Sequence, residues 1–290
     1  MMVILVSVWA PAFSVAQQAT AYNYAIFRDI PYRSEGSDYA RERRWELDLY
    51  LPKDRENFPV LVWFHGGALK FSSKNDIYAT SVAKRFASEG IGVVLPGYRL
   101  YPQVKYPEFI EDAASAVAWV YHNISTYHGN PEHLFIGGHS SGAYLAAMIG
   151  MDERYLKKHQ LSLQQIVGVI PLSGEMYGDS TVWSTEHGIY KTIRDETTTF
   201  QVDETTPMFY VRRDVPPFLC MCAEYAEDPP EIVCAENQKF IEALRATGHK
   251  HVTFKEIPDR THFSVSEMKS PDDPVVKLML SFIQKAISGE

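Results

Sequence analysis

The chain has 290 residues, of which 46% are hydrophobic and 13% aromatic, and its formal net charge is −8. A chain of this length and apolar content can bury a large core, and it suits one larger α/β domain better than two small ones. Because the balance is acidic and no basic residues cluster, nucleic acid is excluded as an expected partner.

The first sixteen residues are set apart by an uncharged apolar run over Val3–Ala16. The run is too short to span a membrane as a helix and Pro11 breaks it, so we expect no stable membrane insertion. Ser14-Val15-Ala16 resembles a signal-peptidase site, although no basic segment precedes the run. The interpretation is a signal peptide over residues 1–16 and a secreted or periplasmic protein, with a cytoplasmic protein as the alternative.

Strand and helix patterns alternate along residues 17–290, without internal repeats or low-complexity segments. Two short strands open this domain, around Tyr24–Arg28 and Trp45–Leu51, and we expect them to pair antiparallel. The elements that follow are, in order, strand Val60–Phe64, helix Ile77–Glu89, strand Ile91–Leu95, helix Glu108–Asn123, strand His133–Gly137, helix Ala143–Ile149, strand Ile166–Leu172, strand Phe218–Cys222, helix Cys234–Thr247, strand Val252–Ile257 and helix Asp273–Ile287. This alternation predicts a mostly parallel sheet with helices on both faces.

The pentapeptide Gly138-His139-Ser140-Ser141-Gly142 lies between a predicted strand and a small, apolar helix. A G-x-S-x-G pattern in that position predicts a nucleophile elbow, a turn so sharp that Ser140 adopts a strained backbone conformation. The flanking residues are glycine because a Cβ at either position would collide with a neighbouring element. The turn presents the Ser140 hydroxyl above the sheet as a nucleophile, whereas we expect His139 to pack or to bond locally.

A second motif, His65-Gly66-Gly67-Ala68, follows the strand that ends at Phe64. The two glycines let the backbone amides of Gly67 and Ala68 face the pocket, and the amide of Ser141 is the third expected donor. Backbone N–H groups fixed in this way stabilise the negative charge of a tetrahedral intermediate, so the motif predicts an oxyanion hole. We expect His65 to brace the loop by hydrogen bonding, not to act as a base.

Acidic residues and a histidine follow the last two predicted strands. Within Glu224-Tyr225-Ala226-Glu227-Asp228-Pro229, the preferred catalytic acid is Asp228, since a proline stiffens its loop. Glu227 and Glu224 are the alternatives. His262 is the preferred general base, because it follows a strand and only a group with a pKa near neutrality can take and return the serine proton.

The nucleophile, acid and base occur in the order Ser140, Asp228, His262, and each follows a predicted strand, so all three would meet at one sheet edge. With this order the chain resembles the α/β-hydrolase superfamily, and within it the carboxylesterases related to hormone-sensitive lipase and to kynurenine formamidase. The resemblance covers about Trp45–Ile287. It is carried by Val62-Trp63-Phe64-His65-Gly66-Gly67, Tyr98-Arg99-Leu100 followed by Pro102 and Pro107, the elbow, and Thr261-His262-Phe263. Two motifs depart from the lipase relatives, with HGGA in place of HGGG and GHSSG in place of GDSAG.

The resemblance implies an α/β-hydrolase fold and hydrolysis of small-molecule esters through an acyl-enzyme, without a metal or an organic cofactor. No long apolar lid helix is predicted, which favours short-chain or aryl esters over lipids. One alternative is an arylformamidase, or another amide or peptide hydrolase of this fold. The other is a non-catalytic binding protein on the same scaffold.

Residues 175–214 break the alternation and are rich in Tyr, Thr, Trp and charged residues. We expect this insertion to form a small cap over the site. Its aromatic residues Tyr177, Trp183 and Tyr190 could then face an aromatic or sugar ester, although aromatic residues of a cap more often only pack.

The three cysteines are Cys220, Cys222 and Cys234. We expect buried free thiols, with a bridge between Cys222 and Cys234 as the alternative. No His or Cys partners occur at ligand spacing, so no metal site is expected.

Overall fold

The computed structural model describes residues 21–33, 44–176, 178–179, 200–225 and 230–289. The predicted signal peptide lies outside the described residues, and so do the three aromatic residues of the predicted cap. The cap itself is described only at its two ends.

The described residues contain ten strands: β1 (Tyr24–Pro31), β2 (Glu46–Pro52), β3 (Phe58–Phe64), β4 (Gly92–Pro96), β5 (Gly129–His139), β6 (Gly168–Leu172), β7 (Gly178–Asp179), β8 (Phe200–Gln201), β9 (Phe218–Tyr225) and β10 (Val252–Thr261). Eight of them form one sheet in the order β1-β2-β4-β3-β5-β6-β9-β10. Strand β2 is antiparallel to both β1 and β4, and every other pairing in this sheet is parallel. The predicted mostly parallel sheet with an antiparallel opening is confirmed.

Six α-helices accompany the strands among the described residues: α1 (Ile77–Ser88), α2 (Glu108–Asn123), α3 (Ser141–Met151), α4 (Arg154–Lys157), α5 (Pro230–Ala246) and α6 (Pro274–Ser288). Alternate residues of β3 enter two separate cores, because successive side chains of a strand point to opposite faces. Leu61 packs in the core that holds α1 and α6, whereas Val62 packs in the core that holds α2, α3 and α5. Within the described ranges, none of the helices combines the length and the apolar composition that a membrane span requires.

Five neighbouring parallel strands bring their carboxyl ends to one edge of the sheet, where ligands bind in open α/β sheets. The residues at these ends are Phe64, His139, Leu172, Tyr225 and Thr261. Four of these strand ends directly precede the segments that the sequence predicts to be functional, so the ends of these strands share a common edge.

The expectation of three free thiols is wrong. Cys222 and Cys234 form a disulfide with a Cα–Cα distance of 5.5 Å. The bridge joins β9 to α5, which packs on that strand. This packing brings two cysteines that are twelve residues apart in sequence close enough to bond. Cys220 is free and buried, and burial raises the pKa of its thiol, which keeps it protonated.

The two ends of the insertion are tied to the domain. Strands β7 and β8 pair antiparallel, and a 3₁₀ turn follows at Pro207–Tyr210. The Tyr144 hydroxyl of α3 donates to the Thr205 carbonyl at 2.8 Å, and the Met208 amide donates to the Met176 carbonyl at 3.1 Å. Both ends of the predicted cap are thus fixed beside helix α3.

Candidate active site

Ser140 occupies the turn between β5 and α3 with φ 55° and ψ −124°, a conformation that residues other than glycine rarely adopt. Close contacts require glycine on either side. A Cβ on Gly142 would lie 2.2 Å from the Phe64 carbonyl oxygen, and one on Gly138 would lie 2.4 Å from the Gly142 carbonyl carbon. The Ser140 amide donates to the Leu172 carbonyl at 2.9 Å, which ties the turn to β6. The predicted elbow geometry is confirmed, while the role of Ser140 as nucleophile stays a prediction.

The loop after β3, residues 65–76, has an unusual backbone. Gly67 has φ 118°, and Ala68 and Leu69 follow with φ 55° and 56°. A Cβ on Gly67 would lie 2.3 Å from the Phe71 carbonyl oxygen, so the position accepts only glycine. Two backbone hydrogen bonds close the turn, because the amides of Lys70 and Phe71 both donate to the Gly67 carbonyl. We call residues 65–76 the oxyanion loop.

The oxyanion loop lies directly against the elbow. A Cβ on Gly66 would lie 3.2 Å from the Ser140 Cβ. Within the described part of the chain, the backbone N–H groups of Gly67 and Ala68 have no hydrogen-bond acceptor. Such donors are suited to receiving an oxyanion that develops beside the serine.

His65 braces the oxyanion loop, as the sequence predicts. Its Nδ1–H donates to the Gly66 carbonyl at 2.7 Å, and its ring stacks on Tyr98 with a centroid distance of 4.3 Å. The Tyr98 hydroxyl donates in turn to the His65 carbonyl at 2.7 Å. Burial lowers the pKa of His65 to about 4, so the ring is neutral at neutral pH and holds one tautomer.

A buried lysine holds the far end of the oxyanion loop. Lys74 is 3% exposed, and its Nζ lies 2.5 Å from Asp48 Oδ1 and 2.6 Å from Asp29 Oδ1. Asp48 is fully buried in β2 and also accepts a hydrogen bond from Arg28 at 2.9 Å. Sequence analysis missed this anchor, and the only available signal was a carboxylate between two leucines of a predicted strand.

His262 directly follows β10 in a loop that side chains hold in place. The Thr261 amide donates to Ser264 Oγ at 2.8 Å, and the Ser264 amide donates to Thr261 Oγ1 at 3.1 Å. Arg260 donates to the Ser264 carbonyl at 2.9 Å and pairs with Asp273, the N-cap of α6. His262 is half-buried, and burial lowers its pKa below the usual 6.5. A general base must be unprotonated, and this environment favours that state.

His139, the last residue of β5, packs in the interior, which is one of the two predicted outcomes, and its side chain bonds to a distant segment instead of locally. It is buried, and its Nε2 lies 2.6 Å from the backbone carbonyl oxygen of His262, 123 residues further along the chain. The two rings lie 4.6 Å apart between centroids. Burial, reinforced by the nearby His262, lowers the pKa of His139 to about 3. The structure therefore connects the residue before the predicted nucleophile to the loop of the predicted base.

Only one of the three candidate acids belongs to the described residues. Glu224 lies within β9, not in the loop after it, because the strand extends past its predicted end at Cys222 to pair Tyr225 with Thr261. Glu224 Oε2 accepts a hydrogen bond from the Asp259 amide at 2.9 Å. Asp228 and Glu227 lie outside the described residues.

Four apolar side chains lie near the same edge of the sheet, and three of them are exposed. Phe263, next to the predicted base, is 50% exposed, and its ring centroid lies 5.9 Å from that of Tyr78 in α1. Ile77 and Phe71 are also strongly exposed, and Phe71 belongs to the oxyanion loop. We call these four residues the apolar rim.

A family model described as BD-FAE matches residues 47–229, which contain the oxyanion loop, the elbow and the three candidate acids. Esterase LipQ of Mycobacterium tuberculosis is 28% identical over 245 residues, which are 81% of this chain and 56% of LipQ. The probable isoprenylcysteine alpha-carbonyl methylesterase ICMEL1 of Oryza sativa subsp. japonica is 35% identical over 147 residues, which are 50% of this chain and 30% of that protein. The chain thus spans about half the length, or less, of these curated relatives.

Solved structures share the fold. A truncated carbohydrate esterase from gut microbiota has a TM-score of 0.69 at 18% identity, with 93% of this chain and 98% of that chain covered. Esterase B from Lactobacillus rhamnosis has a TM-score of 0.72 at 17% identity, with 92% and 87% covered. At these identities the likeness shows the architecture alone, and it confirms the predicted α/β-hydrolase fold.

Proposed function

We propose that this chain, which belongs to the BD-FAE family, is a serine carboxylester hydrolase that acts on short-chain or aryl esters through an acyl-enzyme. The observation that carries the proposal is the strained turn at Ser140, with the oxyanion loop in contact with it at Gly66. The relatives named as esterases support an ester as the bond that is cleaved.

The proposed reaction has two balanced halves. His262, oriented by Asp228, takes the proton of the Ser140 hydroxyl as the oxygen attacks the ester carbonyl carbon. Three backbone amides stabilise the negative charge on the former carbonyl oxygen. They belong to Gly67, Ala68 and Ser141. His262 then gives the proton to the departing alcohol, and water hydrolyses the acyl-enzyme by the same steps to release the carboxylic acid.

We retain Asp228 as the proposed acid, with Glu227 as its alternative. Glu224 is the weakest of the three candidates, because it lies within β9 and not in the loop after it, and its Oε2 already accepts the Asp259 amide. A carboxylate that orients a histidine needs a free oxygen for the Nδ1–H and a loop that can approach it. Asp228→Asn should therefore lower kcat by at least a hundredfold, whereas Glu224→Gln should leave it within about threefold of wild type.

The apolar rim supports an aryl or other apolar group as part of the substrate. When a substrate covers water-exposed aromatic surface, the complex is stabilised by about 25 cal/mol per Å² of apolar area removed from water. Phe263 is the rim residue next to the proposed base, and the exposure of half of its side chain supports it as a contact for the group bonded to the reacting carbonyl. A short-chain aryl ester combines that apolar group with a small acyl chain.

The test is a panel of p-nitrophenyl esters from acetyl to dodecanoyl, with N-formylkynurenine and peptide anilides beside it. We expect wild-type protein to hydrolyse the short esters fastest, and Ser140→Ala to lose at least about 10⁴-fold in kcat. Ser115→Ala is the matched control, since it removes a partly buried hydroxyl from α2, away from the site. Equal hydrolysis by Ser140→Ala contradicts the proposal, and faster cleavage of the formamide replaces it with an arylformamidase.

We also propose export of the protein, on the strength of residues 1–16. The bridge between Cys222 and Cys234 supports this proposal, because disulfides persist in oxidising compartments. Expression with the full leader should yield an exported protein whose first residue is Gln17. Recovery from the cytoplasm with residues 1–16 still attached contradicts it.

A further inference from the structure

We infer that His139 is a positioning residue, which fixes the loop of the base His262 to the elbow of the nucleophile Ser140. The inference rests on the proposed serine-hydrolase function and adds to it a residue outside the triad and the oxyanion hole. It does not involve contact between His139 and the substrate.

The first argument is the hydrogen bond itself. A carbonyl oxygen only accepts, so the 2.6 Å distance to the His262 carbonyl requires a proton on His139 Nε2. His139 is adjacent to Ser140 in the chain, and its backbone moves with the elbow. The bond therefore joins the backbone of the base directly to that of the nucleophile, across 123 residues of sequence.

The second argument is the position of the ring between three loops. On one side it faces the His262 ring at 4.6 Å between centroids. A Cβ on Gly66 would lie 3.3 Å from His139 Nδ1, so the oxyanion loop also passes close to the ring. One imidazole of the elbow thus contacts the loop of His262 and lies close to the oxyanion loop, and it is 6% exposed.

The third argument concerns charge. Burial lowers the pKa of His139 to about 3, so the ring holds a single tautomer, with the proton on Nε2, throughout the neutral range. A neutral ring places no positive charge beside His262. His139 can therefore hold the base without opposing its uptake of the serine proton.

The consequence is a defined cost for losing the bond. Without it, the loop of His262 keeps its contacts with α1 and α6, but the separation of the proposed base and nucleophile is no longer set by a shared group. A misplacement of about 1 Å can cost about 100-fold in rate. We expect His139→Leu to lower kcat by roughly 10- to 100-fold, with KM within about twofold of wild type.

Three variants separate positioning from plain structural support. His139→Leu removes the donor, whereas His139→Gln keeps an amide N–H near the position of Nε2 and should recover to within about threefold of wild type. His249→Leu is the matched control, since His249 is also buried and its Nε2 lies 2.9 Å from the Val215 carbonyl, at the opposite end of the sheet. Each variant is measured for unfolding temperature, for kcat and KM, and for the rate of labelling by a fluorophosphonate, which needs no substrate.

The expected result is slow labelling and low kcat in His139→Leu, recovery in His139→Gln, and wild-type rates in His249→Leu. If His139→Leu is less stable but labels at the wild-type rate, the inference is overturned and the proposed function stands. If the glutamine variant is as slow as the leucine variant, the donor is not the cause and the inference also fails. Wild-type protein that no fluorophosphonate labels overturns the proposed function, and the inference with it.

Discussion

Lys74 and Asp48 form an ion pair that is buried on both sides, with 2.5 Å between Nζ and Oδ1. The pair joins the end of the oxyanion loop to β2, the second strand from the edge of the sheet. Charges this deep are tolerated only when they are paired and hydrogen-bonded, and here Arg28 and Asp29 complete the set. The loop that carries the proposed oxyanion donors is therefore anchored to β2 through Lys74, at the end of the loop away from Ser140.

Lys74→Met should destabilise the protein by about 3–5 kcal/mol, because it leaves the Asp48 charge buried with one partner fewer. Lys157→Met is the matched control. Its amine lies 2.7 Å from Glu153 in an exposed pair, and such pairs contribute about 0–1 kcal/mol. Urea unfolding measures both differences. Equal losses in the two variants would show that the buried pair is not an anchor.

Two buried histidines should make stability depend on pH. The pKa values of His65 and His139 are lowered to about 4 and about 3, whereas an unfolded histidine titrates near 6.5. Below pH 6.5 the unfolded chain binds protons that the folded chain does not. The contribution of the two histidines to the free energy of unfolding is therefore fully present above pH 6.5 and decreases as the pH falls towards 4. The slope is about 1.4 kcal/mol per pH unit for each histidine.

The measurement is urea unfolding of wild type and His65→Gln at pH 7 and pH 5. The variant should lose less stability between the two values, by up to about 2 kcal/mol, because one of the two groups is gone. His128→Gln is the control, because it removes a histidine from an exposed position by the same substitution. If stability changes equally between pH 7 and pH 5 in all three proteins, the lowered pKa of His65 is contradicted.

Reduction of the bridge between Cys222 and Cys234 should lower both stability and activity. Opening a loop of this size costs about 3 kcal/mol, and the segment between the two cysteines contains all three candidate acids. Dithiothreitol should lower the unfolding temperature and kcat of wild type and of Cys220→Ala. The double variant Cys222→Ser/Cys234→Ser should already be low and should not respond. Two free thiols at these positions in the untreated protein would refute the bridge.

The apolar rim should affect substrate binding more than chemistry. Phe263→Ala removes an exposed ring beside the proposed base His262, so we expect KM for a short p-nitrophenyl ester to rise about three- to tenfold, with kcat within about threefold. Phe27→Ala, an exposed phenylalanine of β1, is the control and should change neither constant. A fall in kcat with an unchanged KM would instead indicate that Phe263 stabilises the loop of His262 and does not bind substrate.

Features set by neighbouring residues could be predicted from the sequence. Helix α2 has the predicted bounds Glu108–Asn123 because its apolar spacing and the turn after it are local. The elbow at Ser140 was recognisable because its two glycines are required within five residues. The brace by His65 followed from a histidine placed inside a glycine turn.

Features set by distant partners could not be predicted in the same way. The pair between Lys74 and Asp48 joins segments 26 residues apart, and no local pattern marks a buried lysine. The extension of β9 through Glu224 depends on its pairing with β10. For His139 the sequence predicts packing or a local bond, because nothing in the pentapeptide indicates which distant carbonyl the ring meets.

The central claim is that Ser140 is the nucleophile, and one measurement tests it most directly. Wild-type protein and Ser140→Ala are treated with a fluorophosphonate, and the digested proteins are analysed by mass spectrometry for the modified peptide. We predict a single adduct on Ser140 in wild type, with loss of esterase activity in proportion to labelling, and no adduct in the variant. An adduct on another residue, or full esterase activity after complete labelling of Ser140, would contradict the account.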